Sequence, residues 1–203
     1  MRIGLFGGSF DPIHHGHLIS AQEMLREGPL DRVIFVPARE PPHKEASSLA
    51  PAEERVRMIE LAIAREPRFA VSDVELGRPG PSYTIDTVES FLARTETGEE
   101  YFWIVGDDSV RDIPGWREAE RLLKICRFLV ATRRGEGRAA LTSGRSGLSA
   151  HAVESLLAGY RATPTIEISG TEIRRRISRG ESIAYQVPEA VEDYIRMEEL
   201  YRA

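Results

Sequence analysis

The chain has 203 residues, 27 Lys and Arg against 32 Asp and Glu, and a formal net charge of −5. That length suits one domain able to bury a core without disulfides or a structural metal, and the acidic balance argues against a general nucleic-acid binder. The single cysteine, Cys126, excludes an internal disulfide and a thiolate metal cluster, and no run approaches the ~20 apolar residues that span a bilayer.

The first apolar stretch, from Ile3, is too soon broken by Gly7 and Gly8 to be a signal peptide, so a soluble, cytoplasmic protein is expected. Ile3 to Phe6 reads as a short buried strand, and Gly16 to Glu27 as a helix with Leu18, Ala21, Met24 and Leu25 at helical spacing. Val33 to Val36 is a second strand, followed by an irregular segment from Ala38 to Ala50. Pro51 with Glu53 and Glu54 opens a helix whose apolar face is Val56, Ile59 and Ile63. Phe69 to Val74 is a third strand, Ile85 to Arg94 a helix, and Tyr101 to Val105 a fourth strand. Arg117 to Lys124 is helical and Phe128 to Ala131 a fifth strand, its Cys126 neighbour reading as a buried structural thiol. Arg133 to Gly147, with four glycines and no apolar period, is expected to be a loop. Thr165 to Ile168 is placed as a last edge strand, before helices over Thr171 to Ser178 and Pro188 to Tyr201.

Strands alternating with helices predict an α/β fold: a Rossmann-like, doubly wound parallel sheet with helices on both faces. The chain is expected to form a single domain over 1–203, with a small helical C-terminal part from about 170. In such sheets ligands gather at the carboxyl ends of the strands, near the point where strand order reverses. The loops after each strand are therefore where chemistry is sought.

The loop after the first strand carries the strongest signal: Gly7-Gly8-Ser9-Phe10-Asp11-Pro12-Ile13-His14-His15-Gly16-His17. It is neither a GxGxxG nor a P-loop, yet glycines admit a close phosphate, and the following helix offers N–H groups and partial positive charge. His14 and His17, three apart, share one side of a helical turn, while His15 points about 100° away from His14. A zinc site built on these histidines lacks an HExxH and any second ligand cluster.

These residues resemble the nucleotidyltransferase superfamily with an HxGH motif. Along nearly its full length the chain is similar to the bacterial nicotinate-nucleotide adenylyltransferase family. The further matching pieces are Pro41-Pro42-His43-Lys44, Pro81-Ser82-Tyr83-Thr84-Ile85-Asp86-Thr87, Gly106-Asp107-Asp108-Ser109, Pro114-Gly115-Trp116 and Ile168-Ser169-Gly170-Thr171-Glu172-Ile173-Arg174. The resemblance implies adenylyl transfer from ATP to nicotinate mononucleotide, releasing pyrophosphate, by in-line attack without a covalent intermediate. It implies magnesium bound through the ATP phosphates, with no protein ligand assigned to it. Partners expected are the two substrates, with no nucleic acid or membrane; a homo-oligomer is allowed for.

By the same resemblance His17, with His14 beside it, contacts the α-phosphate, and Lys44 follows the acceptor phosphate; a solvated loop lysine is the plainer reading of Lys44. ATP is expected against Gly7, Gly8, Ser9, Phe10, Gly16, Gly106 and Asp108, and against Ser169, Thr171 and Arg174, where helix capping is the alternative for the hydroxyls. Tyr83 and Thr84 would cradle a carboxylate through backbone N–H groups, Trp116 would stack on the pyridine ring or simply pack, and Arg133 is counted with the acceptor residues. Two departures stand out. Gly170 replaces a family serine and removes a hydroxyl donor. Asp107 replaces a small residue and would repel anionic substrates unless it faces solvent or meets an arginine. An adenylyl- or cytidylyltransferase for another phosphate acceptor, such as phosphopantetheine, and a non-catalytic nucleotide-binding regulator are the rival readings. Zinc-dependent hydrolysis fails for want of a ligand set.

Overall fold

The computed structural model describes residues 1–42, 49–132, 136–142 and 146–202. Among them, six strands form one sheet: β1 (Arg2–Gly8), β2 (Arg32–Pro37), β3 (Phe69–Val71), β4 (Glu100–Gly106), β5 (Arg127–Thr132) and β6 (Tyr160–Ala162). All pair in parallel, in the order β3-β2-β1-β4-β5-β6. Parallel neighbours require crossover connections, and helices supply them: α1 (His15–Glu27), α2 (Ala52–Ile63), α3 (Thr84–Leu92), α4 (Ala119–Ile125), α5 (Glu136–Thr142) and α6 (Ala150–Ala158). Two more, α7 (Gly170–Ser178) and α8 (Glu189–Met197), follow the last strand.

The period of two along each strand divides the core into two layers. Phe6, Val33, Phe35, Phe102, Ile104, Leu129 and Ala131 face α1, α2, α7 and α8, meeting Met24, Ile59, Ile173 and Ile195. Ile3, Leu5, Val36, Trp103, Val105, Phe128 and Val130 face α3 to α6, meeting Val88, Leu122, Leu141 and Leu156. Strands buried on both faces read as near-continuous apolar runs, which is why β1, β2, β4 and β5 are legible in the sequence. Cys126 is 4% exposed, and burial pushes its thiol up to about 12, as suits an inert packing residue.

Three expectations are corrected. The edge strand is Tyr160–Ala162, not Thr165 to Ile168, because Gly159 lies so close to Phe128 that a β-carbon there would sit 2.1 Å from the Phe128 carbonyl oxygen, holding the chain against β5. The span Arg133 to Gly147 contains a helix, α5, over Glu136–Thr142. Its Gly137 fits against the turn Asp107–Arg111, where a β-carbon would stand 2.3 Å from the Asp107 carbonyl oxygen. Finally, α2 buries Arg55, Met58, Ile59 and Ile63, with Val56 only half-buried at the flank of that face. Smaller shifts have local causes: α4 starts at Ala119 rather than Arg117 because Glu118 is left-handed at φ 52°.

Strand order reverses between β1 and β4, with Phe6 paired to Ile104. Chain connections leave in opposite directions there, so a crevice opens beyond the carboxyl ends of these two strands.

Candidate active site

A cleft of about 470 Å³ occupies that crevice. Its floor is the end of the sheet: Trp103 and Val105 of β4, and Ala131 of β5. The indole of Trp103 lies across Gly7, where a β-carbon would be 2.3 Å from the ring, so only glycine permits this floor. One wall is the loop after β1 with the start of α1; another is the start of α7 with Ser169, Gly170, Thr171 and Arg174. The far end is built from Ser82, Tyr83, Thr84, Gly115, Trp116 and Arg117.

His14 is the N-cap of α1 and His17 its third residue, so the helix start fixes both rings. The rings stack with centroids 3.7 Å apart and planes 24° from parallel. The His14 backbone N–H donates to His17 Nδ1 at 3.3 Å. An accepting Nδ1 carries no proton, so the neutral ring bears its hydrogen on Nε2 and presents a donor there. Phe6 and Phe10 back the His17 ring, with centroids at 6.2 and 5.0 Å. Gly16 makes room for His14: a β-carbon on Gly16 would lie 3.0 Å from His14 Nδ1. The α1 start is less open to anions than the sequence suggests, since the His15 N–H donates to Gln186 O and the His17 N–H to His14 O, both at 2.9 Å.

The loop itself is held from below. Arg55 is 1% exposed and donates to four backbone carbonyls: Ser9 at 2.8 Å, Ala38 at 2.7 Å, Ala50 at 3.0 Å and Arg39 at 3.4 Å. Burial pulls its pKa below the usual arginine value, with the nearby Asp11 charge opposing that shift. Asp11, 3% exposed, accepts at Oδ1 from the Tyr201 hydroxyl at 2.7 Å and the Ala50 N–H at 3.1 Å. Its Oδ2 faces Arg174 Nη1 at 3.2 Å, and the same nitrogen donates to the Asp11 carbonyl at 2.7 Å. Asp11 is thus committed to a protein network rather than turned toward a metal. Among the described residues no three His, Cys, Asp or Glu side chains converge to hold an ion.

At the far end, α3 begins at Thr84 with no side chain capping it. The Tyr83 N–H already donates to Pro81 O at 3.1 Å, so the donors left to a ligand at this end begin with Thr84 rather than Tyr83. Arg117 lies over the Tyr83 ring at 4.8 Å and faces Asp86 at 3.8 Å. Trp116 packs on Phe128 at 6.2 Å while lining the cleft, so it serves the core and remains open to a ligand. Beneath lies Glu75, 4% exposed, accepting from Thr87, which in turn accepts from Arg78 at 2.7 Å. Burial raises the Glu75 carboxyl, and hydrogen bonds from Thr87 and Ser82 oppose that rise.

The structure therefore brings Gly7, Gly8, Ser9, His14, His17, Tyr83, Thr84, Gly106, Asp108, Trp116, Ser169, Thr171 and Arg174 to one cleft. Phe10 is corrected: its side chain is 1% exposed and packs into the core against Phe6 and Phe35. Gly16 does not line the cleft and acts through His14. Lys44 and Arg133 lie outside the described residues, as does His43 of the same motif. Asp107 is not among the residues lining the cleft; it is 1% exposed and accepts from the Tyr160 hydroxyl at 2.9 Å and the Arg138 N–H at 3.3 Å. Gly170 has a steric reason, because a β-carbon there would stand 2.6 Å from the Asp11 carbonyl oxygen. Ser169 does cap α7, accepting from the Glu172 N–H at 3.2 Å. Sequence reasoning missed Arg55, Glu75, Arg117 and Tyr201, and gave Asp11 no role of its own. For Arg55 the signal was available, since 55, 59 and 63 fall on one helical face.

A glycine- and histidine-bearing loop at the switch point of such a sheet is the architecture of an α/β protein that receives polyphosphates. The family model of cytidylyltransferase-like proteins matches residues 5–176. A Thermus thermophilus protein named "probable nicotinate-nucleotide adenylyltransferase" is 46% identical, with 100% of each chain covered. One of the same name from Synechococcus sp. (strain JA-3-3Ab) is 44% identical over 98% of this chain and 94% of its own. The solved structure of Plasmodium falciparum nicotinic acid mononucleotide adenylyltransferase complexed with NaAD has the same fold, with a TM-score of 0.75, 20% identity, and 98% and 97% of the two chains covered. The chain belongs to the cytidylyltransferase-like family and, within it, to the nicotinate-nucleotide adenylyltransferases.

Proposed function

We propose that this chain transfers the adenylyl group of ATP to nicotinate mononucleotide, giving nicotinate adenine dinucleotide and pyrophosphate. The carrying observation is the single cleft with two chemically different ends. The stacked His14 and His17 and the α7 residues stand at one end; Trp116, Tyr83 and Thr84 stand at the other. A polyphosphate suits the first and a flat ring bearing an anionic group the second. No membrane-crossing helix is found among the described residues, and we place the enzyme in the cytoplasm, acting as one domain over 1–203.

In the proposed reaction a phosphate oxygen of the mononucleotide attacks the α-phosphorus of ATP in line. The new P–O bond forms as the bond to the β-phosphate oxygen breaks, and the electron pair leaves with pyrophosphate. His17 donates from Nε2 to a non-bridging oxygen of the α-phosphate, where negative charge must be held during transfer. His14 orients it through backbone N–H and ring stack. Arg174 meets the β- and γ-phosphates, with Gly7, Gly8 and Ser9 letting the nucleotide approach the loop. Gly106 and Asp108 border the adenosine. Lys44 and Arg133 are assigned to the acceptor phosphate side. The donor set fits magnesium that arrives on the triphosphate, since Asp11 is already engaged by Tyr201, Ala50 and Arg174. Bound there, the ion would neutralise charge on the departing pyrophosphate.

Incubation with ATP, magnesium and nicotinate mononucleotide should release pyrophosphate and yield the dinucleotide by chromatography. Activity with phosphopantetheine and none with a pyridine mononucleotide would replace this reading with its closest rival. Trp116→Ala should raise KM for the mononucleotide and spare KM for ATP; equal effects would remove the ring-stacking role.

A further inference from the structure

The end of the chain returns to the loop where the first motif begins. After α8, Glu199 and Tyr201 both take left-handed backbone angles, φ 51° and 64°, which side-chain-bearing residues adopt only at a cost. The helix is docked by the Tyr194 hydroxyl on Glu54 of α2 at 2.6 Å, and the bend after it carries the Tyr201 hydroxyl to Asp11 Oδ1 at 2.7 Å. These partners are 190 residues apart in sequence. Burial and the Asp11 charge both raise the Tyr201 pKa, so its hydroxyl is a donor at every working pH.

Asp11 joins that tyrosine to Arg174, hydrogen-bonded to the one and paired with the other. One carboxylate oxygen takes Tyr201 and the Ala50 N–H, leaving Oδ2 alone for the arginine. Among the described residues Oδ2 is buried and makes no well-aligned hydrogen bond; it pairs with Arg174 Nη1 at 3.2 Å. Arg174 is therefore held to Asp11 by one nitrogen, while its Nη2 donates a long bond of 3.5 Å to the Thr171 hydroxyl at the cleft wall. Without the tyrosine hydroxyl only the longer Ala50 N–H bond, at 3.1 Å, would hold Oδ1, and Asp11 would be freer to turn both oxygens to the guanidinium in the bidentate geometry that arginine and carboxylate favour. That would draw the arginine off the cleft.

We propose that Tyr201 is a positioning residue for the nucleotide: by occupying Asp11 Oδ1 it keeps Asp11 from capturing Arg174, which stays aimed at the polyphosphate. This rests on the adenylyl-transfer reading only in taking the polyphosphate to be that of ATP. Tyr201→Phe keeps the ring and removes the donor. ATP binding to the full chain, measured by calorimetry with magnesium and no acceptor, should weaken about tenfold, the order expected for one hydrogen bond to a charged group. KM for nicotinate mononucleotide should stay within about twofold of wild type, because the change acts at the other end of the cleft.

The decisive measurement is the same substitution in an Arg174→Gln background, where the loss in ATP affinity should disappear. An equal loss in both backgrounds would overturn the proposal, showing that Tyr201 supports the fold without acting through Arg174. So would ATP affinity unchanged by Tyr201→Phe or by Arg174→Gln. Because ATP binding is read without acceptor, a wild-type protein that binds ATP but makes no dinucleotide counts against the proposed function and leaves this test intact.

Discussion

Replacing Arg55 with methionine is the sharpest test of how the loops around the cleft are held. The guanidinium is 1% exposed and spans three segments, reaching Ser9 after β1, Ala38 and Arg39 after β2, and Ala50 before α2. Methionine fills similar volume but donates nothing, so three carbonyls bonded at 2.7 to 3.0 Å lose their donor. Each buried carbonyl left unsatisfied costs about 1–3 kcal/mol. Against this gross loss stands the desolvation that a buried charge no longer demands, visible in the lowered pKa of Arg55. The balance for breaking a buried charged network is about 3–5 kcal/mol. At about 2–4 °C per kcal/mol for a chain of this size, Tm should fall by roughly 6–20 °C. Thermal melts followed by circular dichroism, with urea unfolding alongside, read this directly. Lysine should recover only part, since its compact ammonium cannot match the arginine fork. A loss below about 1 kcal/mol would refute the reasoning, because the carbonyls would then have found water or other partners at little cost.

Three further perturbations separate the roles assigned above. His17→Ala removes the Nε2 donor and should lower kcat by about 10²–10³, the usual cost of one donor aimed at developing charge; near-normal turnover in a steady-state assay would end its catalytic assignment. Gly170→Ser restores a hydroxyl common in relatives by resemblance, yet its β-carbon would meet the Asp11 carbonyl oxygen at 2.6 Å. It should destabilise by about 1–3 kcal/mol and weaken ATP binding, and a gain in affinity would show that α7 moves freely. Glu75→Gln tests the buried carboxyl. Its folded pKa is raised by burial above the ordinary 4.5, so its share of stability is full below that value and is lost as pH rises through the raised one. The glutamine variant should therefore gain on wild type across that interval, and a difference in unfolding free energy that stays flat with pH would contradict the burial argument.

Much of the fold was written in short-range pattern. Runs such as Val33-Ile34-Phe35-Val36 bury both faces and declare themselves, and the glycine–histidine loop could only matter at a strand end. What failed was decided at long range. The β6 strand, Tyr160–Ala162, has no apolar run of its own; it is a strand because Gly159 lets the chain close on β5. The helix at Glu136–Thr142 is packed by Gly137 against a turn 30 residues earlier, with Asp107 accepting from its Arg138 N–H. Asp107 looked like an error in an anion site because its partners, Tyr160 and Arg138, cannot be inferred from neighbours in sequence. Tyr201 was invisible for the same reason: a tyrosine near the end of a chain carries no periodic signal, and its meaning lies wholly in Asp11.

Net charge also takes on a physical meaning at the cleft. Among the described lining residues, Asp11, Glu75 and Asp108 stand with Arg117 and Arg174, so acidic and basic side chains are interleaved there. An anionic ligand there gains from donors aimed at it as well as from charge. Arg55 is withheld from the ligand altogether and spent on carbonyls; Arg174 is shared with Asp11; His17 has its proton fixed on one nitrogen by a backbone N–H. The last two arrangements immobilise a donor before substrate arrives, and a donor that need not reorganise is worth most when charge develops in the transition state. An acidic protein can in this way be suited to two phosphates: His17 is aimed by a backbone N–H, and Arg174 by the Asp11 carboxylate beside it.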